Sequence, residues 1–162
     1  MNTPIVLRGR AGLLALGLLG ALALAAGAPA QAPPLALPGS PAPAEIEREL
    51  RAALALAIRR FEAKDLGGLL ALVSDQYRTG YLTKAALRAQ LLGMFQLYET
   101  LKTNVRVEEI RLVGEHAWVV SSGEVLGRLP LLSRWMTVLA WERELEVARR
   151  ETGGWRLYGY QQ

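Results

Sequence analysis

The chain has 162 residues, with 19 basic and 15 acidic side chains, one histidine and no cysteine. That length suits one domain with a hydrophobic core and strains at two. The missing cysteine excludes disulfides, thiolate metal sites, a cysteine nucleophile and a lipid-modified N-terminal cysteine. Without Arg8 and Arg10 of the N-terminal segment, 17 basic residues face 15 acidic ones, a net charge near +2 that is no nucleic-acid signature.

The N-terminal segment sets Arg8 and Arg10 before an apolar run, Ala11 to Ala28, built only of Ala, Gly and Leu. The small-residue motif Ala28-Pro29-Ala30 follows. This three-part layout predicts a signal peptide over residues 1–30, cleaved near Ala30, and hence a secreted or periplasmic protein. The alternative is an uncleaved anchor over residues 11–28, which lie near the lower length limit for a membrane span. Membrane contact is expected only through this segment. Residues 31–44 carry five of the eight prolines and read as an extended tether, leaving residues 45–162 as the folded domain.

Within the domain, Ile46, Leu50, Ala53, Leu54, Ala57, Ile58 and Phe61 recur at three- and four-residue spacing. They predict an amphipathic helix whose acidic start and basic end suit the helix dipole. Asp65 is placed to cap a short second helix, which Gly67 and Gly68 weaken. Thr83 is placed to cap a third, with Leu87, Leu91, Met94, Phe95 and Tyr98 as its buried stripe.

After Leu101 the apolar period changes to two. Val105 and Val107 alternate with charge, then Ile110, Leu112 and Val113 take over, which predicts a bulge near Glu108 and Glu109. Gly114-Glu115-His116 reads as a hairpin turn into a strand over Ala117 to Leu126. A break at Pro130 precedes a long strand from Arg134 to Arg150, with Trp135, Thr137, Leu139, Trp141, Leu145 and Val147 on one face. Gly153-Gly154 turns the chain into a last strand, Trp155 to Tyr160. Helices followed by an antiparallel meander define an α+β class.

This order resembles the nuclear transport factor 2-like superfamily, with its SnoaL-like and ketosteroid-isomerase-like members. The resemblance rests on Phe61-Glu62-Ala63-Lys64-Asp65-Leu66 closing the first helix, Ser74-Asp75-Gln76-Tyr77 after the second and Leu82-Thr83-Lys84 opening the third. Val113-Gly114-Glu115-His116-Ala117 resembles the family's tight hairpin, and Gly153-Gly154-Trp155-Arg156-Leu157 its closing strand. It implies a cone-shaped roll: three helices packed in a strongly curved antiparallel sheet of four to six strands, with a pocket at the open end. Members work as isomerases, dehydratases, cyclases or hydrolases, or as binding and dimerisation modules, so fold does not settle function.

The catalytic sets of such members do not map onto this sequence. Asp75 and Tyr77 fall in a comparable region, but Asp75 reads first as a turn residue. The single histidine, His116, falls in a predicted turn, and one histidine without cysteine leaves only scattered carboxylates for a metal. No Gly-x-Ser-x-Gly elbow or phosphate loop is present. No catalytic residue, metal site or cofactor is therefore assigned.

Strand alternation puts Arg143 on the face of Trp141 and Leu145, towards the implied pocket. There it needs an anionic ligand or a carboxylate partner, unless a bulge turns it outward. Tyr77, Tyr81, Tyr98, Trp135, Trp141, Arg143 and Trp155 are the expected pocket residues, and Met136, Val138 and Ala140 the expected dimer interface. The leading expectation is an exported non-enzymatic domain that binds a small apolar or weakly anionic molecule as a homodimer. The alternatives are an isomerase or hydro-lyase using Asp75 or a Glu with Tyr77, and a protein-binding assembly module whose interior is filled by tryptophan.

Overall fold

The computed structural model describes residues 37–130 and 134–160. The expected signal segment, its expected cleavage site and most of the expected tether lie outside them. Helix α1 spans Ala44–Glu62, with Glu45 and Glu47 in its first turn and Arg59 and Arg60 in its last. Leu50, Ala57 and Phe61 are its buried positions. Full burial of a side chain such as Phe61 contributes on the order of 2 kcal/mol. Helix α1 ends at Ala63, after which Lys64 takes the left-handed conformation with φ 56°.

The Lys64 ammonium donates to the carbonyls of Phe95 (3.1 Å) and Tyr98. It thereby closes helix α3 (Lys84–Leu97), which has no basic residue in its last turn. Asp65 caps α2 (Leu66–Leu70) by accepting from the Gly68 amide at 2.8 Å, and Thr83 caps α3 by accepting from the Ala86 amide at 3.3 Å.

The long strands are β4 (Thr100–Val113), β5 (His116–Arg128) and β6 (Trp135–Glu151). The short β1 (Ser40–Pro41) and β7 (Gly154–Leu157) complete one antiparallel sheet in the order β1-β4-β5-β6-β7. Strands β2 (Arg78–Thr79) and β3 (Leu82–Thr83) make a separate hairpin. Strands β1, β2 and β3 have no signal in the apolar period. The end of the proline-rich stretch is also docked: Ser40 and Pro41 pair with Leu112 and Arg111, and the Arg111 guanidinium donates to the carbonyls of Pro38 and Gly39.

Three bulges shape the sheet. Glu108 is the extra residue of β4, since Val107 pairs with Ser121 and Glu109 with Val120. Val138 is extra in β6, because Leu139 pairs with Val125 and Thr137 with Leu126. Further along β6, Glu142 and Arg143 together face Ser122, between the pairs Gly123 to Trp141 and Ser121 to Glu144. Arg143 has φ 49°, so β6 turns over there. Such bulges bend long strands so that they can wrap the helices, and the result is an α+β roll.

The core lies between the helices and the inner sheet face. One cluster joins Phe61, Leu69, Tyr77, Leu87, Leu91 and Trp141; another joins Leu50, Ile110, Ala117, Val119, Ala148 and Trp155.

Candidate functional site

The Arg143 bulge decides which side chains enter the cone. Before it, Trp141 pairs with Gly123 and points inward, its indole N–H donating to the Ser121 hydroxyl at 3.1 Å with both residues buried. A Cβ on Gly123 would lie 2.6 Å from the Trp141 ring, so only glycine leaves room for this indole. After the bulge, Glu144 pairs with Ser121, Glu146 with Val119 and Ala148 with Ala117, all on the inner side.

The expectation that Arg143 shares the face of Trp141 is thereby corrected. Its amide donates to the Ser122 hydroxyl at 2.9 Å, and its guanidinium meets Glu108 at 2.5 Å on an exposed surface. The Ser122 hydroxyl itself donates to Glu108 at 2.5 Å. That bond, and the guanidinium groups of Arg106 and Arg143, hold the Glu108 carboxyl below its ordinary pKa. The two bulges are thus tied together across β5.

In exchange, Glu146 enters the interior at 1% exposure. Tyr77 lies within its electrostatic reach. Burial, and then the Glu146 charge, push the Tyr77 phenol well above its ordinary pKa, with the Thr79 hydroxyl beside it as a partial offset. Asp75 does not join this pair. It is exposed and bonded to Lys84 at 2.7 Å, which lowers its pKa, the opposite of what a base poised near neutrality needs.

The other expected pocket residues scatter. Tyr81 is fully exposed at the β2–β3 turn, and Tyr98 packs over Gly127, where a Cβ would strike its ring. Trp135 shares the outer side of Arg128, because the Val138 bulge shifts its phase relative to Trp141. Trp155 lies inside, its indole N–H donating to Glu49 at 2.9 Å. The expected dimer residues do not form one face: Val138 packs on the core, Met136 takes the side of Gly127 and Ala140 is exposed on the other side.

His116 opens β5 and stacks on Tyr158 with ring centres 5.1 Å apart. Among the described residues no group of three His, Asp or Glu side chains could hold a metal ion, and no helix is long and apolar enough to cross a membrane.

A half-open crevice of about 60 Å³ lies between α1 and the sheet. Leu50, Leu54, Val107, Val119 and Trp155 give it apolar walls, and Arg51 and Arg156 are its polar members. Neither Tyr77 nor Glu146 lines it. It holds less than half of the roughly 150 Å³ that takes a benzene ring. Both arginines have carboxylate partners: Glu47 lies 2.6 Å from Arg51, and Glu151 lies 3.6 Å from Arg156.

Neither a protein-family model nor a curated protein sequence matches the chain. Solved structures do. A scytalone dehydratase candidate from Novosphingobium aromaticivorans superposes with a TM-score of 0.60 at 14% identity, over 69% of this chain and 78% of its own. A ketosteroid isomerase-like protein from Erwinia carotovora atroseptica gives 0.56 at 19% identity, over 71% and 92%. A dehydratase candidate of the nuclear transport factor 2-like family from Streptomyces avermitilis gives 0.55 at 15%, over 72% and 94%. With three helices held in a bulged antiparallel sheet, the described residues have the nuclear transport factor 2-like fold.

Proposed function

We propose that this is an exported, non-enzymatic binding domain. Its ligand is a short aliphatic group carrying an anion, and its site is the crevice under α1 rather than the centre of the cone. The observation that carries this reading is the crevice itself, with apolar walls, about 60 Å³ of space and two arginines among its lining. The apolar part of a ligand would leave water there, and its carboxylate could replace the exposed Glu47 as the partner of Arg51 or join Glu151 at Arg156. Exposed ion pairs contribute only about 0–1 kcal/mol, so that exchange costs little.

The test is calorimetric titration with butyrate. The wild-type protein should bind saturably, Arg156→Ala should weaken binding several-fold, and Ala53→Leu, which fills the crevice from the α1 side, should abolish it with the fold intact. Equal heats for all three proteins would end the proposal.

A second reading is favoured by one observation, that the charge of buried Glu146 acts on the buried Tyr77 phenol. A phenol beside a carboxylate is equipment for proton transfer in a dehydratase or isomerase. That reading requires the interior to open, since the two residues are 2% and 1% exposed. Turnover of any enolisable ketone or hydroxy-ketone that both Tyr77→Phe and Glu146→Gln abolish would establish it in place of the first.

A further inference from the structure

We infer that the end of the sheet bearing Trp135 docks on an anionic lipid surface. Three chain segments meet there. The Glu99 amide donates to the Arg128 carbonyl at 2.8 Å, which sets the exit of α3 beside the end of β5. Arg128 pairs with Trp135, and Gly127 with Met136. Leu97, Met136 and Trp135 are 55%, 42% and 36% exposed, and they are three of the five most exposed large apolar side chains among the described residues.

Cations surround Trp135, which stands on the outer face of the sheet while Met136 takes the inner one. The Lys102 ammonium is 5.1 Å and the Arg128 guanidinium 5.8 Å from the Trp135 ring centre, and Arg134 is exposed next in sequence. Carboxylates at this end include Glu99, 3.4 Å from Arg128, and Glu62, which accepts from the Thr103 amide beside Lys102 at 2.7 Å. A half-exposed indole ringed by Lys and Arg suits the boundary between headgroups and acyl chains, where the ring enters the apolar layer and the cations stay at the phosphates. Each cation near an anionic leaflet adds to the attraction. A second copy is a poor occupant, because a two-fold contact through this patch would set Lys102, Arg128 and Arg134 against themselves.

This surface is separate from the crevice. Five positions of β4 divide Lys102 from Val107 of the crevice, roughly 17 Å of extended strand.

The experiment follows the fluorescence of Trp135 in the full chain, taken as the wild-type spectrum minus that of Trp135→Phe. Vesicles of phosphatidylglycerol should shift it to the blue, and brominated acyl chains should quench it. Phosphatidylcholine vesicles should do neither, and about 1 M salt, where the screening length falls to about 3 Å, should reverse the effect. Lys102→Glu with Arg134→Glu should weaken the response at least tenfold while the melting temperature stays within a few degrees.

A signal segment that inserts alone would bring the chain to vesicles without quenching Trp135, and that result overturns the inference. So would equal quenching by both lipids, an equal shift with polyglutamate, which would assign the surface to an acidic protein, or burial of Trp135 by self-association without lipid.

Discussion

The Ser121→Ala substitution probes the interior most simply. Ser121 is fully buried and Trp141 is 7% exposed, and the indole N–H donates to the Ser121 hydroxyl at 3.1 Å. Alanine leaves that donor in a dry pocket, which costs about 1–3 kcal/mol. A folded unit of about 120 residues has an unfolding entropy near 0.25 kcal/mol/K, so the melting temperature should fall by roughly 4–12 °C in calorimetry. Trp141→Phe removes the donor and some packing. The double substitution should therefore cost less than the sum of the single ones, by about 1 kcal/mol or more. A shift within about 1 °C for Ser121→Ala, or strict additivity, would refute the inward placement of Trp141.

Other consequences concern the bulge and the titrating groups. Arg143→Gly should leave stability unchanged or raise it: relief of a left-handed φ is worth about 1–2 kcal/mol, and the lost ion pair with Glu108 is exposed. In an ordinary strand position the same change would destabilise by about 0.5–1 kcal/mol, and urea denaturation separates the two cases. Glu108 and Glu151 are held below the ordinary value of 4.5, chiefly by the hydroxyls of Ser122 and Ser74. Their contribution is present above that value and lost as pH falls through the lowered ones, so the urea midpoint should drop between roughly pH 5 and 3, with a shallower fall for Glu151→Gln. In an ultraviolet titration the Tyr77 phenol should stay silent until alkaline unfolding, so wild type and Tyr77→Phe should show equal numbers of ionising tyrosines before that point.

Much of this fold was legible in the sequence. The apolar stripe from Ile46 to Phe61 marks α1 because a period near four has no other use. Asp65 and Thr83 announce their helices because each stands where free amides need an acceptor. The Glu108 bulge shows as a break in the alternation from Val105 to Ile110. The two bulges of β6 leave no such trace. Alternation runs unbroken through Val138 and Arg143, and the left-handed turn falls on an arginine, not a glycine.

Past Arg143 both phases look apolar on one side or the other. Leu145 and Val147 suggested the inner face, yet it is Glu146 and Ala148 that pair there. Val147 is buried all the same, on the outer side where Tyr158 and Tyr160 meet His116 and Trp118. The Tyr77–Glu146 pair was hidden for this reason, and so was the scatter of the expected tyrosine and tryptophan pocket. The crevice was out of reach because its residues come from α1, Leu72 and four strands, whose meeting depends on the register that the bulges set.

The central claim is that small apolar anions enter under α1 while the cone stays filled. Methyl-selective NMR of the protein during a butyrate titration tests it most directly. The account predicts saturable shifts at Leu50, Leu54, Val107 and Val119 with Leu87, Leu91 and Val125 unmoved. Shifts centred on Leu91 and Val125 would instead place the ligand in the cone beside Tyr77 and Trp141, and would contradict it.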